Sequence, residues 1–522
     1  MTIHSDWARI LHEECPEAFC TGGIPKGRFD VGVIDGHLQL MCLHAGLHTW
    51  DAFLTHLFVK PIQRLYAAGC KTVVLCFDAY ENVPSYKAMT QLKRAKPHKV
   101  CVFGAEQDLP QQIPQETMVF LMNRHFKLKL IELACARVPA TIAETAFPGH
   151  PERRLIVDYR CVVEYAPDAP HVPVPLQDLT PLGESDIKFV RYVRRYGNAL
   201  VHAIDGDYMA IALLYYAAHG LRDDNRIFLF RQLSRLGGAA AAAAAEPAPK
   251  RAKAATVVVS KYFNNKKPQS SKASRADGSS SFANVDEADA DDNNAADNDN
   301  NNDDSEMEEE QPKKKPKKKN EKCWVDMQLL FTVIADAIWQ SIHGMRPINA
   351  QTLRPFSDGD AVHAAVLLML CAGTDFSRPM PLLGPKRLWE HLPDFVPILL
   401  QAAPVESEAG EGGGPNVPLV AQGVIAPLYR AIFAKHVSPA AAGLEGVMAS
   451  LRAAPKLSLA TTTRLPSSAQ VHTTLKNVGW VMRYWLSHNE QVPAPLDGTH
   501  GFVRCPSTSQ ITFDDVVAAR LG

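Results

Sequence analysis

Apolar residues in this chain gather into short runs that stop at aspartate. From Ala199 to Ile204 every position is apolar except His202; Gly197 precedes the run, and Asp205 and Asp207 follow it with one glycine between them. A short run rich in Val, Ile and Leu between turn residues predicts a buried strand of an α/β sheet. Beyond Gly206, Met209, Leu213 and Leu214 recur at helical spacing until Gly220, which predicts a helix. The same grammar appears twice more: Val31, Val33 and Ile34 precede Asp35, and the run Val73 to Phe77 precedes Asp78. Asp158 in "RRLIVDYR" fits less well, because the run is expected to continue through "CVV". Pro181 to Gly183 predicts a turn and then a helix that ends at Gly197. Glu184 and Asp186 fall in its first turn, where the helix dipole tolerates negative charge.

One aspartate after a strand says little, since aspartate also caps helices and starts turns. Several such ends in one parallel sheet say more, because reactive groups collect at the carboxyl edge of open α/β sheets. Carboxylates packed together raise each other's pKa. Divalent cations are the usual resolution.

Composition narrows the class. The 522 residues suffice for one large or two medium domains, and 46% hydrophobic with 21% charged residues describes an ordinary soluble protein. A net charge of −1 excludes a globally basic nucleic-acid binder, so polyanion contacts must come from local patches. Eleven cysteines without a C-x-x-C pair point to a reducing compartment and no structural zinc. No run approaches the roughly 20 apolar residues of a membrane helix, and no signal peptide is visible. The expectation is a soluble, intracellular protein without a membrane partner.

Patterning also divides the chain. Residues 1–236 are read as the first part of a globular domain. Residues 237–322 form a low-complexity insert of polyalanine, acidic and lysine-rich tracts that cannot offset the entropy of ordering. Globular patterning resumes over 323–404, a Gly-rich linker follows at 405–416, and 417–522 reads as a C-terminal helical extension ending in a hairpin or helix. Within the insert, the lysine run 313–319 fits a nuclear localisation signal. No internal repeats occur.

Taken with Asp375 in "GTDF", these acids resemble the metal-binding set of the flap endonuclease, or XPG-type, family of structure-specific 5′ nucleases. Asp35 in "VIDG" and Asp78 in "CFDAY" match the family's two strand aspartates. Glu184 and Asp186 match its E-x-E pair, Asp205 and Asp207 its D-x-D pair, and Asp375 its last aspartate. "PLLGPKRLWEHL" is similar to the family's helix–two-turn–helix element, which implies phosphate contacts from Gly384, Lys386 and Arg387. The resemblance implies a PIN-like (5′-3′ exonuclease-like) α/β fold, with a mainly parallel central sheet flanked by helices and a helical arch at about 80–135. It also implies two Mg2+ ions, replaceable by Mn2+, that hydrolyse phosphodiesters in branched or 5′-ended DNA during replication or repair. Lys87 and Arg94, seven apart, match a basic pair in the arch that engages the scissile phosphate. The island 256–263, with Val259, Tyr262 and Phe263, resembles a sliding-clamp-binding peptide, although Thr256 stands where glutamine is usual. Departures are Thr2 and Ser5 in place of glycines, Met41 for a stacking tyrosine, and Leu382 for the first glycine of G-x-G. A further basic set, Lys188, Arg191 and Arg195, lies along the helix after Glu184. Two other readings stay open: an RNA-cleaving relative with the same metal site, and a catalytically silent DNA-binding scaffold.

Overall fold

The computed structural model describes residues 3–40 except Gly22, 47–79, 124–233 except Ile204, 321–341, 354–373, 383–392, 422–454 except Ala434, 465–487, 502–504 and 511–513, with a few isolated positions between. The chain divides into two units, residues 1–235 with 320–522, and residues 236–319; the second lies outside the described residues.

The first unit is an α/β structure built on a nine-stranded mixed sheet. Its strands are β1 (Phe19–Cys20), β2 (Val31–Asp35), β3 (Thr72–Cys76), β4 (Arg154–Asp158), β5 (Val162–Ala166), β6 (Ala169–Pro175), β7 (Ala199–His202), β8 (Ile227–Leu233) and β9 (Glu321–Asp326), in the order β1-β9-β8-β7-β2-β3-β4-β5-β6. The five central strands, β8 to β4 in that order, are mutually parallel. Antiparallel strands finish both edges: β9 and β1 on one side, β5 and β6 on the other. Asp158 therefore does end a strand of the parallel set. The chain turns back at 159–161, so "CVV" belongs to the next, antiparallel strand rather than continuing the run.

Period-two alternation in the strands sorts side chains between two cores. Val31, Val33, Val74, Cys76, Ala199, Val201, Ile227 and Leu229 face one side. Ile34, Val73, Leu75, Phe77, Leu200 and Phe228 face the other. The first side is covered by α1 (Ile3–Glu14), and the second by the helical stretch that follows α2 (Gly36–Leu40). That stretch comprises α3 (Trp50–Leu54), a π-helical turn at Thr55–Val59, and α4 (Lys60–Ala67). Helix α5 (Arg124–Thr145) completes the second side with Phe126, Leu130, Ile131 and Ala134. The expected arch limit near 135 thus falls inside a core helix, and the stretch 80–112 lies outside the described residues.

On the first side lie α6 (Ser185–Tyr196), α7 (Asp207–His219), α8 (Met327–Ser341) and α9 (Asp358–Cys371). The short α10 (Pro385–Glu390), α11 (Gln422–Ile432), α12 (Gly443–Arg452) and α13 (Ser468–Leu486) join them. The last three bury Ile425, Tyr429, Val447, Leu451, Val478 and Val481 in the same core as the sheet. Its end carries a two-stranded hairpin, β10 (Phe502–Arg504) with β11 (Ile511–Phe513). No helix among the described residues is long and apolar enough to cross a membrane.

The insert interrupts a hairpin. Strands β8 and β9 pair antiparallel up to Leu233 opposite Glu321, so the chain leaves and re-enters the sheet at neighbouring positions. Gly197 ends α6 at φ 106°, and a Cβ there would stand 3.0 Å from the Asp224 carbonyl oxygen; only glycine suits this sharp re-entry into β7.

Candidate functional site

Strand order reverses between β2 and β7. From β2 the chain moves outward through β3 and β4, then returns through α6 to β7 on the other flank and continues to β8. The crevice outside the carboxyl ends at such a switch point is where ligands of open α/β sheets bind. Asp35 is the last residue of β2, Asp78 lies two residues past β3, and Asp205 and Asp207 follow β7. Gly36 permits this crowding: a Cβ there would lie 2.6 Å from the Phe77 ring and 2.9 Å from the Cys76 carbonyl oxygen.

Helix α6 starts over this edge with Glu184 as its N-cap. The Ser185 backbone N–H donates to Asp78 Oδ1 at 2.8 Å, and the Ser185 hydroxyl donates to Asp35 Oδ1 at 3.3 Å. The Ala79 N–H donates to the Gly183 carbonyl at 2.7 Å, fixing the turn that precedes the helix. His37 Nδ1 lies 3.6 Å from Asp78 Oδ2. On α7, Tyr208 stacks on Phe189 of α6 with centroids 5.2 Å apart, joining the two helices that carry the acidic pairs. Burial, and then the charges of Asp35 and Asp186, push the Tyr208 hydroxyl well above its ordinary pKa. Asp35, Asp78, Glu184, Asp186 and Asp207 are all buried, and Asp205 is half-buried with its Oδ1 accepting from the Asp207 N–H at 3.3 Å. Six of the seven acids expected at a metal site thus reach one sheet edge; Asp375 lies outside the described residues.

Several participants were not singled out in the sequence. Ser185 sits between two acids and reads there as filler, yet it bridges Asp35 and Asp78. Arg231, near the end of β8, is buried beside Asp205 and Asp207; burial pushes its guanidinium down, and those two charges oppose the shift. Asp158 is held internally. Lys188 Nζ lies 3.0 Å from its Oδ1, Arg191 pairs with its Oδ2, and the Tyr192 hydroxyl donates to Oδ2 at 2.7 Å. Burial alone would raise the Asp158 carboxyl, but the Lys188 and Arg191 charges and the Tyr192 hydrogen bond hold it below the usual range. Lys188 Nζ also donates to the Phe77 carbonyl at 2.6 Å, one residue before Asp78. Lys188 and Arg191 therefore do not form a surface phosphate patch, and Arg195 pairs with Asp178. Both full burial and the occupied partners exclude a polyanion from the first two.

The donor set is chemically suited to a hard divalent cation, being carboxylate oxygens at a shared edge. Among the described residues, however, no three His, Cys, Asp or Glu side chains stand grouped so as to hold an ion. Gly384 caps α10 without a side-chain bond, Lys386 and Arg387 are exposed beside it, and the Arg387 guanidinium lies 5.4 Å from the Phe433 ring centroid. Leu388 and Trp389 are buried and seat this short helix. Lys87, Arg94, Leu382 and the segment with Val259, Tyr262 and Phe263 lie outside the described residues. No family model matches the chain, and no curated protein matches it.

Proposed function

We propose that the chain is a divalent-cation-dependent nuclease that hydrolyses phosphodiester bonds in branched or 5′-ended DNA, with a PIN-like fold of the flap endonuclease type. The observation that carries this reading is the convergence of Asp35, Asp78, Glu184, Asp186, Asp205 and Asp207 on one switch-point edge. Bound Mg2+ at these carboxylates and Asp375 would lower the pKa of water and stabilise the leaving oxygen. The chain's own residues set the stage. Ser185 fixes the rotamers of Asp35 and Asp78, and the Lys188–Phe77 contact holds the strand end that delivers Asp78. Arg231 offsets part of the charge of Asp205 and Asp207. Lys386 and Arg387 offer positive charge for a phosphate backbone without reading bases. Nuclear import through 313–319, clamp binding through 256–263 and phosphate engagement by Lys87 and Arg94 belong to the same proposal.

A second reading, a DNA-binding scaffold without catalysis, is favoured by one observation: the described acidic side chains are not grouped into a ligand cage. The decisive experiment is a panel of labelled DNA flaps, bubbles, single strands and matched RNA, incubated with Mg2+ or Mn2+, beside Asp205→Asn. Metal-dependent cleavage that is lost by at least a hundredfold in Asp205→Asn, with retained DNA binding and an unchanged circular dichroism spectrum, is expected. Cleavage of RNA alone selects the RNA-cleaving relative; no cleavage of any substrate, with DNA still bound, selects the scaffold.

A further inference from the structure

Three cations are buried among the described residues: Lys188, Arg191 and Arg231. Asp158 holds the first two. Arg231, on β8, answers to other anions. It is 4% exposed and lies on the strand face that carries Ile227 and Leu229, in the core that α7 shares. Its neighbours along the sheet supply no carboxylate. Across the antiparallel ladder it stands opposite Cys323, and the parallel register that pairs Phe230 with His202 carries it alongside Ala203. Asp205 comes two residues further along the exit from β7, and α7 opens with Asp207, which has no exposed surface. A guanidinium stays protonated in proteins, and an ion buried without a counter-charge is strongly destabilising. Burial pushes the Arg231 guanidinium down; the Asp205 charge is the largest set against that shift, followed by those of Cys323 and Asp207.

We infer that Arg231 is the resident counter-ion of the acidic edge: its guanidinium takes up part of the field of Asp205 and Asp207 in the metal-free protein and competes there with a divalent cation. The fold thereby tolerates converging carboxylates with no metal bound. By the same charge, the edge binds a cation less tightly than its carboxylates alone would. The counter-ion role stands independently of the nuclease reading, whereas the competition with a cation rests on that reading.

The test uses the full chain and two readouts. Arg231→Met removes the charge and keeps an unbranched side chain; Arg231→Lys keeps the charge. In urea with EDTA, Arg231→Met should unfold at a lower midpoint than the wild type. In an Asp205→Asn background the same substitution should lower the midpoint by less, because one of the guanidinium's anions is already gone. An equal or larger drop there overturns the counter-ion role. Mn2+ titrated into each protein should bind Arg231→Met about tenfold more tightly than the wild type, since like charges a few ångströms apart repel strongly even at an effective dielectric of about 20. Arg231→Lys should bind Mn2+ as the wild type does. Affinity in Arg231→Met equal to or weaker than wild type overturns the competition, and so does an equal tightening in Arg231→Lys. If the wild type binds no Mn2+, the nuclease reading falls, and the unfolding comparison in EDTA alone decides the counter-ion role. Should Arg231→Met fail to fold, Arg231→Gln, neutral but still polar, carries both readouts.

Discussion

Asp158→Asn tests whether helix α6 is anchored from inside. The exchange preserves shape and removes one charge. In the native chain a carboxylate with no exposed surface faces Lys188 Nζ at 3.0 Å, the Arg191 guanidinium and the Tyr192 hydroxyl at 2.7 Å. One anion thus serves two buried cations, and asparagine would leave both without a counter-charge. An exposed ion pair contributes about 0–1 kcal/mol; breaking a buried one costs about 3–5 kcal/mol. Full burial puts this network in the second class. Urea unfolding at pH 7 should show a loss of about 3–5 kcal/mol, read as a lower midpoint at unchanged m-value. Because Lys188 and Arg191 overcome burial and depress the Asp158 carboxyl, its contribution is present above the ordinary carboxylate range and is lost as pH falls below it. The variant should therefore have a flatter acid limb than the wild type. Replacing all three partners together (Asp158→Leu, Lys188→Met, Arg191→Met) should recover most of the stability, as apolar substitutes for buried ion pairs commonly do. That triple variant would lack the tether from Lys188 to the Phe77 carbonyl. A loss below about 1 kcal/mol in Asp158→Asn would refute the reasoning.

Two further outcomes follow from the packing and the titrations. Gly36→Ala drives a methyl to 2.6 Å from the Phe77 ring, so thermal and urea unfolding should show a loss of about 1–3 kcal/mol, eased by adding Phe77→Leu. His202 is pushed down to about 4 by burial and then by nearby Arg64 and Lys322. The Gln39 amide lies 2.6 Å from its Nδ1 and donates to it, which suits a neutral ring. The unfolded chain takes up this proton below about pH 6.5 while the folded one does not, so stability is complete above that pH and falls by about 3 kcal/mol on reaching pH 4. His363 is also pushed down to about 4 and His219 is lowered by burial, so both add to the slope, and His202→Gln should reduce the stability loss measured between pH 6.5 and 4 without abolishing it.

The strands that deliver Asp35, Asp78 and Asp205 were legible because apolar runs bounded by turn residues depend on local chemistry alone. Helices α6 and α7 were legible for the same reason, their stops being Gly197 and Gly220. What lay beyond reach was decided by tertiary neighbours. Lys188 and Arg191, three apart on a helix, suit a solvated basic face as well as an internal ion pair, and only the position of β4 beneath them distinguishes the two. Asp158 looked misplaced because nothing in "RCVVEY" announces that the chain reverses there. Ser185 acts through atoms whose partners are more than a hundred residues away, across the sheet edge. Helices α11 to α13 read as an extension because an amphipathic pattern gives the width of the buried stripe and not the surface it meets.

A segment spliced into a hairpin has a particular topological freedom. Leu233 and Glu321 are neighbours across a ladder whatever the chain does between them, so the excursion can lengthen, shorten or change composition without moving the acidic edge. Closure entropy grows only logarithmically with loop length, so selection on that stretch is decoupled from selection on the scaffold. The β8–β9 ladder therefore closes this side of the sheet whatever the length of the chain between its two ends.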